Sequence, residues 1–363
     1  MMLKEKPDMK HEKLVIGLSG AIIGIVAVCL VLLGNPANMG FCIACFIRDT
    51  AGGLGLHRAE AVQYVRPEII GLVLGSFLMA LGRKEFRPKG GSSPITRFVL
   101  GFFVMVGCLM FLGCPFRMIL RLAGGDMNAL AGLVGFVAGI LTGIFFLNKG
   151  YTLKRSYKQT ETEGLAMPIC QILLLILLIA VPGILFFTPA EGGPGAKHAA
   201  LWISLLAGLI VGAIAQVTRL CMVGGIRDFV LFRESRLLIG FLMIFVTALA
   251  GNLVMGKFSL GMAGQPVAHT GILWNFLGMF LAGYGCCLLG GCPLRQLILT
   301  GEGNTDSAIT FLGLFVGAAF CHNFKLASSG EGPTVNGKIA VIIGIIVVTV
   351  IAVVNTFSRK EEG

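Results

Sequence analysis

Two cysteine motifs occur twice in this chain of 363 residues. One is C-x5-R-D, as Cys42 with Arg48 and Asp49, and again as Cys221 with Arg227 and Asp228. The other is G-C-x4-G-C-P-x-R, as Cys108, Cys114, Pro115 and Arg117, and again as Cys286, Cys292, Pro293 and Arg295. The motifs keep their order, with 72 residues from Cys42 to Cys114 and 71 from Cys221 to Cys292. Glycine-rich apolar segments resemble one another by composition, but that does not reproduce Arg-Asp and Cys-Pro in both halves. Thiols are soft donors, and arginine is suited to anions. An oxygen-only anion needs the arginines and backbone N–H groups but not the sulfur. Cysteines beside arginines therefore suit a substrate with its own sulfur or selenium, or a soft metal.

The elements that position these groups follow from the prolines. Pro115 and Pro293 fit the first residue of a helix, which puts Cys114 and Cys292 at its cap. A short broken helix is expected to dip into the membrane from each side. Its N-terminus offers free N–H groups and partial positive charge, which together bind anions. Arg48-Asp49 and Arg227-Asp228 fall at span ends. Ionisable groups there are costly and point to function or gating, or else anchor a helix end. Arg117 and Arg295 are equally open between a path role and snorkelling. Cys108 and Cys286 lie mid-span, in the path or in packing.

Other signals are weaker. Cys42-x-x-Cys45 has no second CxxC to complete a four-ligand zinc site and no thioredoxin-like setting. Cys29, Cys170 and Cys321 have no repeat partner and are expected in the core. The five histidines form no metal-binding pattern. Gly52-Gly53-Leu54-Gly55 follows no strand and lacks the lysine of a phosphate loop. Asp126 and Asp306 each open a later span and are expected as N-caps.

The chain is 56% hydrophobic and 13% charged, about half the charge of a soluble domain. Most of its surface must therefore face lipid. The net charge of +11 lies in short stretches between apolar runs, which fits membrane loops and not a nucleic-acid face. Apolar runs give about ten spans: 14–33, 68–82, 97–113, 129–147, 168–187, 200–217, 237–255, 272–290, 307–324 and 339–356. With the N-terminus inside, the cytoplasmic segments hold 20 Lys and Arg and the outer segments 9. Both termini are thus expected in the cytoplasm. The expected division is a cytoplasmic segment 1–13, a first membrane repeat 14–187, a second repeat 188–356 and a cytoplasmic tail 357–363. Five spans per repeat, an odd number, invert one copy relative to the other. Inverted repeats place a site near the midplane with one mouth from each half.

The paired Gly-Cys-Pro motifs resemble the YeeE/YedE family of sulfur-transport membrane proteins over almost the whole chain. The stretch from Asn35 through Cys42, Cys45, Arg48 and Asp49 to Thr50, with Arg66-Pro67-Glu68, is most similar to the YedE-related branch associated with selenium metabolism. The loops 148–167 and 188–199 are extra to a smaller family core. The resemblance implies an hourglass-like transporter whose cysteines pass the substrate by S–H···S contacts. It gives Cys114 and Cys292 the two Gly-Cys-Pro roles and leaves the other first-half role to Cys42 or Cys45, with Cys221 a further symmetric candidate.

The expected protein is an all-α, multi-pass cytoplasmic-membrane transporter, not an enzyme, with no cofactor and no bound metal. It takes up a thiosulfate-like anion or a selenium compound, and a cytosolic acceptor protein draws the substrate onward. A membrane thiol redox protein using Cys42 and Cys45, and a soft-metal channel, are the alternatives. The repeated arginines count against a cation.

Overall fold

The computed structural model describes residues 9–357. Residues 1–8 of the expected N-terminal segment and 358–363 of the expected tail lie outside the described residues. Among the described residues, ten helical stretches are long and apolar enough to cross a bilayer, from Lys10–Leu32 to Val335–Phe357. They follow the expected spans closely, except that the fifth runs Glu161–Ala180 and not 168–187. A capping box of Thr160 and Glu163 starts it before Pro168, which lies inside the helix, and Pro182-Gly183 follow its end.

The first half runs α1 (Met9–Leu32), α2 (Ile43–Gly53), α3 (Pro67–Gly82), α4 (Pro94–Phe111), α5 (Pro115–Ala123), α6 (Asn128–Asn148) and α7 (Glu161–Ala180). The second half runs α8 (Leu201–Thr218), α9 (Met222–Phe232), α10 (Arg236–Val254), α11 (Ile272–Leu289), α12 (Pro293–Gly301), α13 (Thr305–Asn323) and α14 (Val335–Phe357). The short helices match in length, at 11 residues for α2 and α9 and 9 for α5 and α12.

Packing follows the same exchange. α3 lies on α8 as α10 lies on α1, α6 on α11 as α13 on α4, and α12 on α3 as α5 on α10. Swapping the halves turns each pair into another, as a pseudo-two-fold axis requires. α4 and α11 pack on each other across that axis. Small residues let them approach: a Cβ on Gly107 would come 2.4 Å from the Gly278 carbonyl oxygen. The last helices break the symmetry, since α7 packs on α3 and α12 while α14 packs on α4 and α11.

Connections sort onto two faces. Strand β1 (Lys89–Gly90) pairs antiparallel with β2 (Tyr157–Lys158), Lys89 bridges to Asn304, and Arg236 at the start of α10 pairs with Glu12. On the opposite face Asp126 bridges to Gly261, Arg66 donates to the Lys197 carbonyl, and Ser328 N–H donates to the Leu109 carbonyl. These are the two loop sets that the charge count separates.

Candidate functional site

Each half brings the N-termini of its two short helices together around cysteine. Cys42 is the N-cap of α2 in extended conformation, and its Sγ accepts the Cys45 N–H at 3.4 Å. Cys114 is the N-cap of α5, with Pro115 as the first helical residue. The two Sγ atoms are 3.9 Å apart. The Cys114 sulfur also faces the backbone N–H groups of Ala44 and Arg117, one from each helix. The Cys45 thiol points at the Leu112 carbonyl at 4.0 Å and receives Arg117 Nη1 at 3.9 Å. All three cysteines are buried.

The second half repeats this core. Cys221 caps α9 and accepts the Gly224 N–H at 3.3 Å. Cys292 caps α12 ahead of Pro293, and its side chain meets that of Cys221. Gly224 stands where Cys45 stands in the first half, so this pair lacks a third thiol. Between the pairs lie Cys108 on α4 and Cys286 on α11, both buried. Cys108 is within electrostatic range of Cys42, Cys45 and Cys286, and Cys286 is within range of Cys221. Cys42, Cys45 and Cys114 thus gather in one half and Cys221 and Cys292 in the other.

The arginines divide the two mouths. Arg48 donates to Asp49 Oδ1 at 2.6 Å, and Arg66 Nε donates to Asp49 Oδ2 at 2.8 Å, so one carboxylate serves two guanidinium groups. Arg121 pairs with Asp126 at 2.6 Å. Arg117 is fully buried and has no carboxylate partner among the described residues. Instead it donates to the carbonyls of Asn38 at 3.1 Å, Val267 at 3.1 Å, Pro266 at 3.3 Å and Leu112. Its charge is therefore met only by neutral dipoles and a thiol, next to two helix N-termini. That is a strong local bias toward an anion.

The second mouth is wetter. Arg295 pairs with Glu302 at 2.9 Å. The Arg227–Asp228 pair is 29% and 22% exposed, against 3% and 0% for Arg48–Asp49. A vestibule of about 710 Å³ lined by Arg219, Arg227, Asp228, Arg236 and Arg295 reaches Cys221 and Gly224. The loops account for the difference. Residues 54–66 follow α2 and 255–271 follow α10 on the first-mouth face, against the shorter repeat-related connections 233–235 after α9 and 83–93 after α3.

Four residues have no site role expected from sequence. Arg66, Arg121, Asp126 and Cys287 are buried here. Arg121 follows Arg117 by one helical turn, a spacing that marks a shared face. Asp126 bonds Arg121 and Asn128, and the cap of α13 is Asn304, not Asp306, which accepts from Ser92 and Ser156. Of the cysteines expected in the core, only Cys321 is buried. Cys29 and Cys170 are exposed on helices whose outer faces are apolar, where a thiol behaves as a small apolar group.

Comparison with known proteins finds similarity over part of the chain. Residues 217–360 match the sulphur transport family model. A thiosulfate transporter TsuA of Spirochaeta thermophila is 31% identical over 117 residues, which is 32% of this chain and 34% of that protein. A thiosulfate transporter TsuA of Escherichia coli is 29% identical over 118 residues, 32% of each chain. The matched stretches thus span about a third of these relatives' length. The similarity to sulphur-transport proteins thus rests on the second half of the chain for the family model and on about a third of the chain for each relative.

Proposed function

We propose that this protein carries a small sulfur- or selenium-containing anion, thiosulfate-like in chemistry, across the cytoplasmic membrane. The observation that carries this reading is Arg117, a buried guanidinium without a carboxylate, beside the Cys42, Cys45 and Cys114 thiols. The names of the two relatives favour the sulfur substrate. In this reading the anion enters at Cys42, Cys45 and Cys114, passes Cys108 and Cys286, and leaves by Cys221 and Cys292 into the vestibule. Thiols donate S–H to the anion's soft atom, while helix N-termini and arginines hold its charge. The vestibule faces the cytoplasm, with both termini on that side, because the face that carries it has the excess of Lys and Arg. A cytosolic acceptor protein removes the substrate there.

The test is uptake of radiolabelled thiosulfate into proteoliposomes, with unlabelled selenosulfate, sulfate and phosphate as competitors. Competition by selenosulfate but not by sulfate or phosphate is expected. Equal competition by sulfate removes the role given to sulfur, and absence of uptake removes the transport reading.

A further inference from the structure

Two buried histidines hold the loops over the first mouth, and neither belongs to the proposed path. His57 lies in 54–66 and His269 in 255–271. Their exposures are 1% and 2%. His57 Nε2 is 3.0 Å from the carbonyl oxygen of Arg48 on α2, and its Nδ1 receives the Ala59 N–H at 3.3 Å. His269 Nε2 is 2.8 Å from the carbonyl oxygen of Met110 on α4, and its Nδ1 receives the Gly271 N–H at 3.1 Å.

The bonding is the same in both loops. Nε2 faces an acceptor, so it carries the proton, while Nδ1 faces a donor, so it must be bare. Only the neutral Nε2–H tautomer satisfies both contacts. Protonation would set an Nδ1–H against a backbone N–H and break the turn. The helices held are those that position the thiols. Arg48 lies on the helix capped by Cys42, and Met110 lies in the last turn before Cys114.

We propose that His57 and His269 are a pair of proton-binding latches that keep the first mouth closed while neutral and release its two covering loops when protonated.

The surroundings resist a second positive charge. His57 stacks on His322 of α13, with ring centroids 4.7 Å apart, and faces Arg48 and Asp49 of α2. His269 faces Arg121 and Asp126, from α5 and the turn after it, while Asn275 of α11 donates to its carbonyl. Burial is the main cause that holds both imidazoles below the ordinary histidine value of 6.5, with Arg48 and Arg121 adding to it. The sign follows from linkage. A released ring returns to its ordinary pKa and binds a proton more tightly than the latched ring. The latched state therefore loses ground as pH falls below about 6.5 and is unaffected well above it.

The test is hydrogen exchange by mass spectrometry on the full chain in detergent at pH 7.5 and 5.5, corrected for the intrinsic effect of pH. Loops 54–66 and 255–271 are expected to lose protection at pH 5.5 by about tenfold, while α6 and α11 keep theirs. The variant His57→Gln/His269→Gln offers a donor and an acceptor but does not titrate. It is expected to show the same loop protection at both pH values. Unchanged wild-type protection at pH 5.5 overturns the proposal even if the variant does not fold, and so does an equal loss in a folded variant. Neither readout depends on what the protein transports.

Discussion

Cys42 and Cys221 hold the same place in opposite halves: each caps a helix of 11 residues and accepts an N–H three residues on, at 3.4 and 3.3 Å. Beyond them the halves differ. Cys42 is sealed, while Cys221 ends a charged vestibule. A cationic methanethiosulfonate reagent should therefore modify Cys221 much faster than Cys42 or Cys114, as located by peptide mass spectrometry. Equal labelling of the three would mean that the first mouth is not closed.

Asp49 and Asp228 are repeat-mates with unequal duties. Asp49 neutralises two buried guanidinium groups, whereas Asp228 pairs one that is partly wet. Asp49→Asn should cost about 3–5 kcal/mol because it leaves buried charge uncompensated. Asp228→Asn should cost about 1 kcal/mol or less. Thermal or denaturant unfolding in detergent decides this, and equal losses would show that burial does not separate the pairs.

Arg117 and Arg295 form a similar contrast. Arg117 spreads its fork over carbonyls from three segments, while Arg295 bonds Glu302. A lysine keeps the charge but not the fork. Arg117→Lys is expected to lower thiosulfate uptake about tenfold or more, equivalent to losing one charge-assisted contact of about 1.4 kcal/mol. Arg295→Lys should lower it less, and a larger effect at Arg295 would move the selective step to the second mouth.

Gly107 and Gly82 test the helix crossing. A Cβ at Gly107 meets the Gly278 backbone, while one at Gly82 meets nothing within 4 Å. Gly107→Ala should separate α4 from α11 and cost about 1–3 kcal/mol. Gly82→Ala should be neutral or slightly stabilising. Similar unfolding midpoints for both would remove close approach as the reason for glycine at 107.

The helical architecture was legible because each span carries its own signal, an apolar run bounded by charge or proline. The Cys-Pro dipeptides likewise fixed α5 and α12, since proline at the first turn is a local rule. Cys42 and Cys221 as caps were harder to read, because cysteine is not a usual capping residue and Ile43 and Met222 carry no helix-start signal. Arg66 and Arg121 were missed as site residues for a different reason. Arg66 meets Asp49 across 17 residues, a pairing set by folding, and Arg121 meets Asp126 only through the turn that ends α5. The closed first mouth was not legible either, because long loops show their length in sequence but not what they cover.

The thiol series is tested most directly by initial uptake of radiolabelled thiosulfate for wild type, Cys114→Ala and Cys292→Ala, reconstituted at equal amounts of folded protein. Each loss of a thiol should lower the rate about tenfold or more, equivalent to losing at least one substrate contact of about 1.4 kcal/mol. Wild-type rates in both variants would contradict a path that runs from thiol to thiol.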